Sequence, residues 1–128
     1  MSTDLIYLTW SVGLTGALVL VAVGAAMTQR SPPQLAGNRE DLPPLTGLAG
    51  RAERLHLNML QNLPLLIALV LVAALAHRAN ATTALGAAIF FWARVAHAAI
   101  YLIGLPALRT LAWGVSMAGL VMIFLQLV

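Results

Sequence analysis

Arg51-Ala-Glu-Arg54-Leu-His-Leu-Asn58-Met-Leu-Gln61-Asn62-Leu-Pro64 runs directly into Leu65–Ala76, a stretch without a single polar side chain. At about 100° per residue these polar residues share one face of a helix. With Arg51 at 0°, Arg54 falls at about 300°, Asn58 at about 340°, Gln61 at about 280° and Asn62 at about 20°. A second stretch repeats the pattern. Arg94-Val-Ala-His97-Ala-Ala-Ile-Tyr101 lies inside the apolar run Leu85–Leu105, and His97 and Tyr101 sit at about 300° and 340° from Arg94. Polar and ionisable groups in an apolar span are expensive and mark functional sites by default. Two helices with matching polar stripes therefore define a fold and a binding site together.

The surroundings settle the medium. Of 128 residues, 61% are hydrophobic and only 9% are charged, with a mean hydropathy of +0.91. A water-soluble domain of this size has too little interior to bury that much apolar surface. Four runs are long enough to cross about 30 Å of hydrocarbon as helices, and they predict helices over residues 5–27, 52–76, 83–105 and 110–128. Strands are disfavoured, because the runs are rich in Ala, Leu and Gly and show no alternation. Met1–Asp4 has no positive segment and the run after it is long, so a cleavable leader is not expected. The chain reads as a single domain, 1–128. It has no cysteine, hence no disulfide or thiolate chemistry of its own, and no metal site is expected.

The connections give the topology. Thr28–Gly50 is the one long link and carries Pro32-Pro33, Gly37-Asn38-Arg39-Glu40-Asp41 and Pro43-Pro44, a composition that predicts an irregular surface segment. The links around His77–Thr82 and Gly104–Ala107 are short, which forces antiparallel neighbours and predicts an all-α, up-down four-transmembrane-helix bundle. Arg30, Arg39, Arg51, Arg54 and Arg109 gather at one membrane face and only Arg78 at the other. The positive-inside rule then places both termini outside the cytoplasm, in a bacterial-type inner membrane. Pro64 should remove the helical hydrogen bond to the Leu60 carbonyl and bend the second span.

Arg94 is about two turns deeper than Tyr101, or roughly 10 Å, too deep to snorkel comfortably. No Asp or Glu falls inside the four runs, Asp4 precedes the first, and Glu53 sits at about 200°, away from the polar stripe. The arginines thus lack resident counter-ions, and an anion held by guanidinium forks is the simplest source of the missing charge. Blander roles stand beside this one. Arg51 and Arg54 can serve as interface anchors, Arg94 can bond Asn58 or a neighbouring carbonyl, and Asn58 and Gln61 can join helices. His56 and His77 fall off the stripe, and Trp113 reads as an interface aromatic.

With these motifs the chain resembles the MAPEG superfamily, the membrane-associated proteins in eicosanoid and glutathione metabolism, and in particular its short bacterial members. The resemblance rests on Asn38-Arg39-Glu40-Asp41, on the Arg51–Pro64 motif, and on Arg94–Tyr101 followed by Pro106 and Arg109-Thr110. It implies a homotrimer of four-helix subunits that binds glutathione between subunits at the arginine-rich face. Arg54 and Asn58 match glutathione-binding residues of the family, Tyr101 a further contact, and Arg94 and His97 belong to that site by position. Arg51 and Gln61 lie on the same stripe, with Gln61 standing where relatives commonly carry Glu. Arg30 matches an arginine that reaches the peptide's carboxylates. Arg109 matches one credited with stabilising the thiolate, beside Tyr101. The expected activity is transfer of glutathione, as co-substrate, to lipophilic electrophiles, or reduction of lipid hydroperoxides. The expected partners are membrane lipids, a small lipophilic substrate and further copies of the chain, not nucleic acid. A non-catalytic membrane scaffold, or a carrier of another anion, is the competing expectation. A small multidrug exporter ranks last, because such proteins depend on a carboxylate within a span.

Overall fold

A computed structural model describes residues 1–128. Five helices follow in order: α1 (Thr3–Ala26), α2 (Pro32–Ala36), α3 (Gly47–Leu75), α4 (Ala81–Ile103) and α5 (Pro106–Phe124). α1, α3, α4 and α5 are each long and apolar enough to cross a membrane, and together they form the up-down four-helix bundle. α3 packs on α1, α4 and α5, and α4 on α1, α3 and α5, while α1 and α5 do not touch. The core runs between these helices through Leu8, Leu18, Leu55, Met59, Leu66, Val70, Phe90, Leu120 and Ile123. The outward faces are equally apolar, with Leu20 73% and Leu75 80% exposed. Water would not tolerate such a surface, whereas lipid accommodates it.

The α4–α5 hairpin is held backbone to backbone. A Cβ on Gly119 would lie 2.5 Å from the Gly86 carbonyl oxygen, and one on Gly86 would lie 2.6 Å from that of Gly119. Small residues permit this approach, which in lipid supplies much of the association through close packing. Gly104 ends α4 in the left-handed conformation (φ 91°), and Pro106 opens α5 at its first position, where a missing N–H is harmless. The link therefore shrinks to Gly104–Leu105, and α5 begins four residues before the expected Thr110. Arg109 is carried into the α5 N-terminal region as a result.

The long connection is more ordered than its composition suggests. α2 interrupts it, opened by a reciprocal capping arrangement between Ser31 and Gln34. The base is closed by Gln29, which donates to the Thr46 carbonyl at 2.8 Å and accepts from the Thr46 N–H at 3.0 Å. α3 starts at Gly47, earlier than the expected residue 52, because Ala49 packs with Ala26 and Leu45 in a small satellite core. α3 then continues unbroken through Pro64.

Two features at the opposite face differ from expectation. Asp4 lies inside the first turn of α1 rather than before it, and only 2% of its surface is exposed. An acid there suits the positive end of a helix, and the Thr83 hydroxyl donates to its Oδ2 at 3.1 Å. Asp4 thus fastens α1 to α4 at the end of the span, far from the polar stripes. Arg78 donates to the Leu127 carbonyl at 2.6 Å and so caps the end of α5.

Candidate functional site

The polar residues of α3, α4 and α5 meet at the end of the bundle where α1 stops and α3 starts. Asn58, His97, Tyr101, Arg109, Thr110 and Trp113 line an open cleft of about 250 Å³. Helical spacing puts His97 and Tyr101 on one α4 face, where their rings meet edge to face at 5.4 Å. The Arg109 guanidinium carbon stands 4.5 Å from the centre of the Tyr101 ring, a cation–π contact that fixes the head group over the cleft. Because α5 begins at Pro106, the positive end of its dipole points to the same place. No carboxylate lines the cleft.

Arg94 stands behind this lining. It is 1% exposed, and its Nη2 donates to Asn58 Oδ1 at 2.6 Å. Its Nε and Nη1, like His97 Nδ1, have no hydrogen-bond partner within the chain. Asn62 Nδ2 donates to the Asn58 carbonyl at 2.7 Å, so the Asn58 side chain is held from two sides. Arg94 therefore positions Asn58 and adds positive potential without lining the cleft. One of its blander alternatives, a bond to Asn58, is the contact present.

The other expected residues are placed differently. Arg51 donates from Nε to the Leu102 carbonyl at 3.1 Å and lies over Gly104, capping the C-terminal end of α4 as a cation suits that end. Arg54 and Gln61 are exposed on the outer face of α3. Arg30 donates from Nη2 to the Pro43 carbonyl at 3.0 Å, and its Nε is buried without a partner. It lines a second pocket of about 260 Å³ between α1, α2 and α3, shared with Arg39, Glu53, His56 and an apolar wall that includes Val19, Val23, Leu35 and Leu57. Within one chain, then, Asn58, His97, Tyr101 and Arg109 are brought together, and Arg30 is not among them.

Four residues near these cavities escaped the stripe argument. Trp113 and Thr110 line the cleft because α5 starts early, which only the hairpin geometry decides. Glu53 and His56 lie off the α3 stripe yet face the second pocket, whose other walls come from α1 and the long connection. Their only signal in the sequence was polarity at the start of a span.

Fold and site together define a four-span integral membrane protein with an arginine-rich, carboxylate-poor cleft at one face. The family model for the MAPEG family matches residues 6–128, nearly the whole chain, and the protein belongs to that family of membrane proteins in glutathione and eicosanoid metabolism. No individual curated protein and no solved structure gives a significant match.

Proposed function

We propose that the protein is a glutathione-dependent membrane enzyme that conjugates glutathione to lipophilic electrophiles or uses it to reduce lipid hydroperoxides. The observation that carries this reading is Arg109, stacked on Tyr101 at the N-terminal end of α5 in a cleft with no acid. A thiol placed there loses its proton more readily, because a guanidinium and a helix N-terminus both favour the thiolate. In conjugation the thiolate sulfur forms a bond to the electrophilic carbon, and the leaving group departs with the electron pair of the broken bond. In peroxide reduction two glutathione thiols give one disulfide, and the hydroperoxide becomes an alcohol and water. Asn58 and His97 supply polar contacts to the peptide, and the membrane delivers the apolar substrate.

The reading includes a homotrimer in an inner membrane, with the arginine-rich face toward the cytoplasm. Arg54 and Gln61 project outward beside exposed Leu57, Leu60 and Leu65. Polar side chains so placed in a span are costly against lipid, and a neighbouring copy that covers them removes the cost. The same contact gives Arg54, and a neighbour's Arg30, access to the ligand.

A non-catalytic scaffold or anion carrier is the second reading, favoured by the structural employment of Arg51 and Arg94 on Leu102 and Asn58. Isothermal titration of the detergent-solubilised protein with glutathione separates the two. The enzyme reading expects saturable binding by a protein that native mass spectrometry shows as three chains. A folded protein that shows no heat of binding refutes it.

A further inference from the structure

The pocket between α1, α2 and α3 holds an unusual set of charges. Arg30 and Arg39 bring two guanidiniums, Glu53 a carboxylate and His56 an imidazole, against a wall of aliphatic side chains. Glu53 makes no ion pair with either arginine although all three line the same space. Arg30 is instead held by the Pro43 carbonyl and Arg39 by the Leu35 carbonyl. Arg30 Nε and His56 Nδ1 are buried without partners. Opposite charges kept apart on one pocket wall complement a ligand that carries both signs itself. A simple anion would need only the arginines and would be repelled by Glu53.

The pocket also connects with the cleft around the outside of α3. Going round that helix at about 100° per residue, with Arg51 at 0°, His56 lies at about 140°, Glu53 at about 200°, Leu57 at about 240°, Gln61 at about 280°, Arg54 at about 300° and Asn58 at about 340°. Leu57 lines the pocket, Asn58 lines the cleft, and the exposed Arg54 and Gln61 occupy the band between them. Glu53 and Asn58 are separated by about 140° and about 7.5 Å of rise, hence by roughly 13 Å at the surface of a helix 10–12 Å across. An extended tripeptide spans about 10–11 Å, and a γ-linked first residue lengthens it.

We infer that this pocket receives the amino-acid end of the thiol peptide, with Glu53 binding the ammonium and Arg30 and Arg39 the adjacent carboxylate, while the thiol lies at Arg109 in the cleft. The inference rests on the glutathione reading and adds the subsite that recognises the γ-glutamyl group. It also accounts for Gln61: this chain places the carboxylate for the ammonium at Glu53, two turns nearer the start of α3. The specificity that follows is for thiol peptides that carry a free amino-acid group, over thiols that lack one.

Titration of the detergent-solubilised protein with glutathione and with glutaryl-cysteinylglycine, the same peptide without its amino group, tests this. The wild-type protein should prefer glutathione by about ten- to hundredfold, the span of one hydrogen bond between charged groups. Glu53→Gln keeps the side chain's size and should bring the preference close to one, mainly by weakening glutathione. Arg30→Ala should weaken both ligands, since both keep the γ-glutamyl carboxylate or its equivalent. A Glu53→Gln protein that elutes as the wild type does and still prefers glutathione equally overturns the assignment of Glu53. A wild-type protein that binds both peptides equally overturns the ammonium subsite while leaving the glutathione reading intact. A wild-type protein that binds neither overturns the glutathione reading and the inference with it.

Discussion

Asn58→Ala should be among the most damaging substitutions in the site, and the reason is Arg94 rather than Asn58 itself. Arg94 is 1% exposed and its one side-chain hydrogen bond within the chain is the 2.6 Å contact to Asn58 Oδ1. Alanine removes that acceptor and leaves a buried guanidinium with no partner on any nitrogen. Hydrogen bonds to charged groups contribute about 1.5–3 kcal/mol, and stranding one member of a buried polar pair costs up to about 3–5 kcal/mol. Interhelical hydrogen bonds between neutral groups in membranes average only about 0.6 kcal/mol, because the unfolded chain in lipid finds substitutes. The charge on Arg94 decides between these figures, and a loss of about 2–3 kcal/mol is expected. Arg94→Met removes the charge and keeps much of the volume. It leaves Asn58 half-buried at the mouth of the cleft with Asn62 beside it, so it should cost less than about 1.5 kcal/mol. In the double substitution most of the Asn58→Ala penalty should vanish, giving a coupling energy of about 1.5 kcal/mol or more. Equilibrium unfolding in mixed micelles, followed by circular dichroism, reads all three variants. An Asn58→Ala loss below about 0.5 kcal/mol, or an Arg94→Met loss larger than that of Asn58→Ala, would refute the positioning role given to Arg94.

Other expectations follow from the same geometry. Gly119→Ala should destabilise the α4–α5 hairpin by about 1–3 kcal/mol, the usual range for overpacking, since its Cβ would sit 2.5 Å from a backbone oxygen; Gly114→Ala, with open space around it, should be neutral in the same melting experiment. Arg109→Ala should raise the apparent pKa of bound glutathione thiol by about one unit or more, toward the free thiol value of about 8.5. The sign follows from the charge: the cation favours the thiolate, so its removal moves the rise of thiolate ultraviolet absorbance to higher pH. An unchanged titration curve would remove Arg109 from the mechanism.

Much of this protein was legible as a one-dimensional pattern. Apolar runs of bilayer length dictate spanning helices because lipid offers a peptide group no hydrogen bonds, and short links between them dictate antiparallel neighbours. The stripes on the second and third spans could be read because helical periodicity alone puts Asn58 on one face, and His97 and Tyr101 on another. Which stripe residues line the cleft was a different matter. Arg51 and Arg94 look alike on a helical wheel, yet one caps α4 through the Leu102 carbonyl and the other lies buried behind Asn58. Each takes the nearest acceptor that packing supplies, and a wheel contains no neighbours. Helix ends were decided in the same way. Ala49 joins α3 because Ala26 and Leu45 cover it, and Arg109 reaches Tyr101 because Pro106 can open a helix directly after Gly104. Glu53 fell off the stripe and out of the sequence argument, since its pocket is walled by α1 and by a connection that composition described only as irregular. The sequence by itself determined the spans, their order and the polar faces, all local consequences of hydrophobicity and helical pitch. The tertiary structure alone decided which charges pair, which are buried and which face a cavity, because those depend on groups brought together from distant parts of the chain.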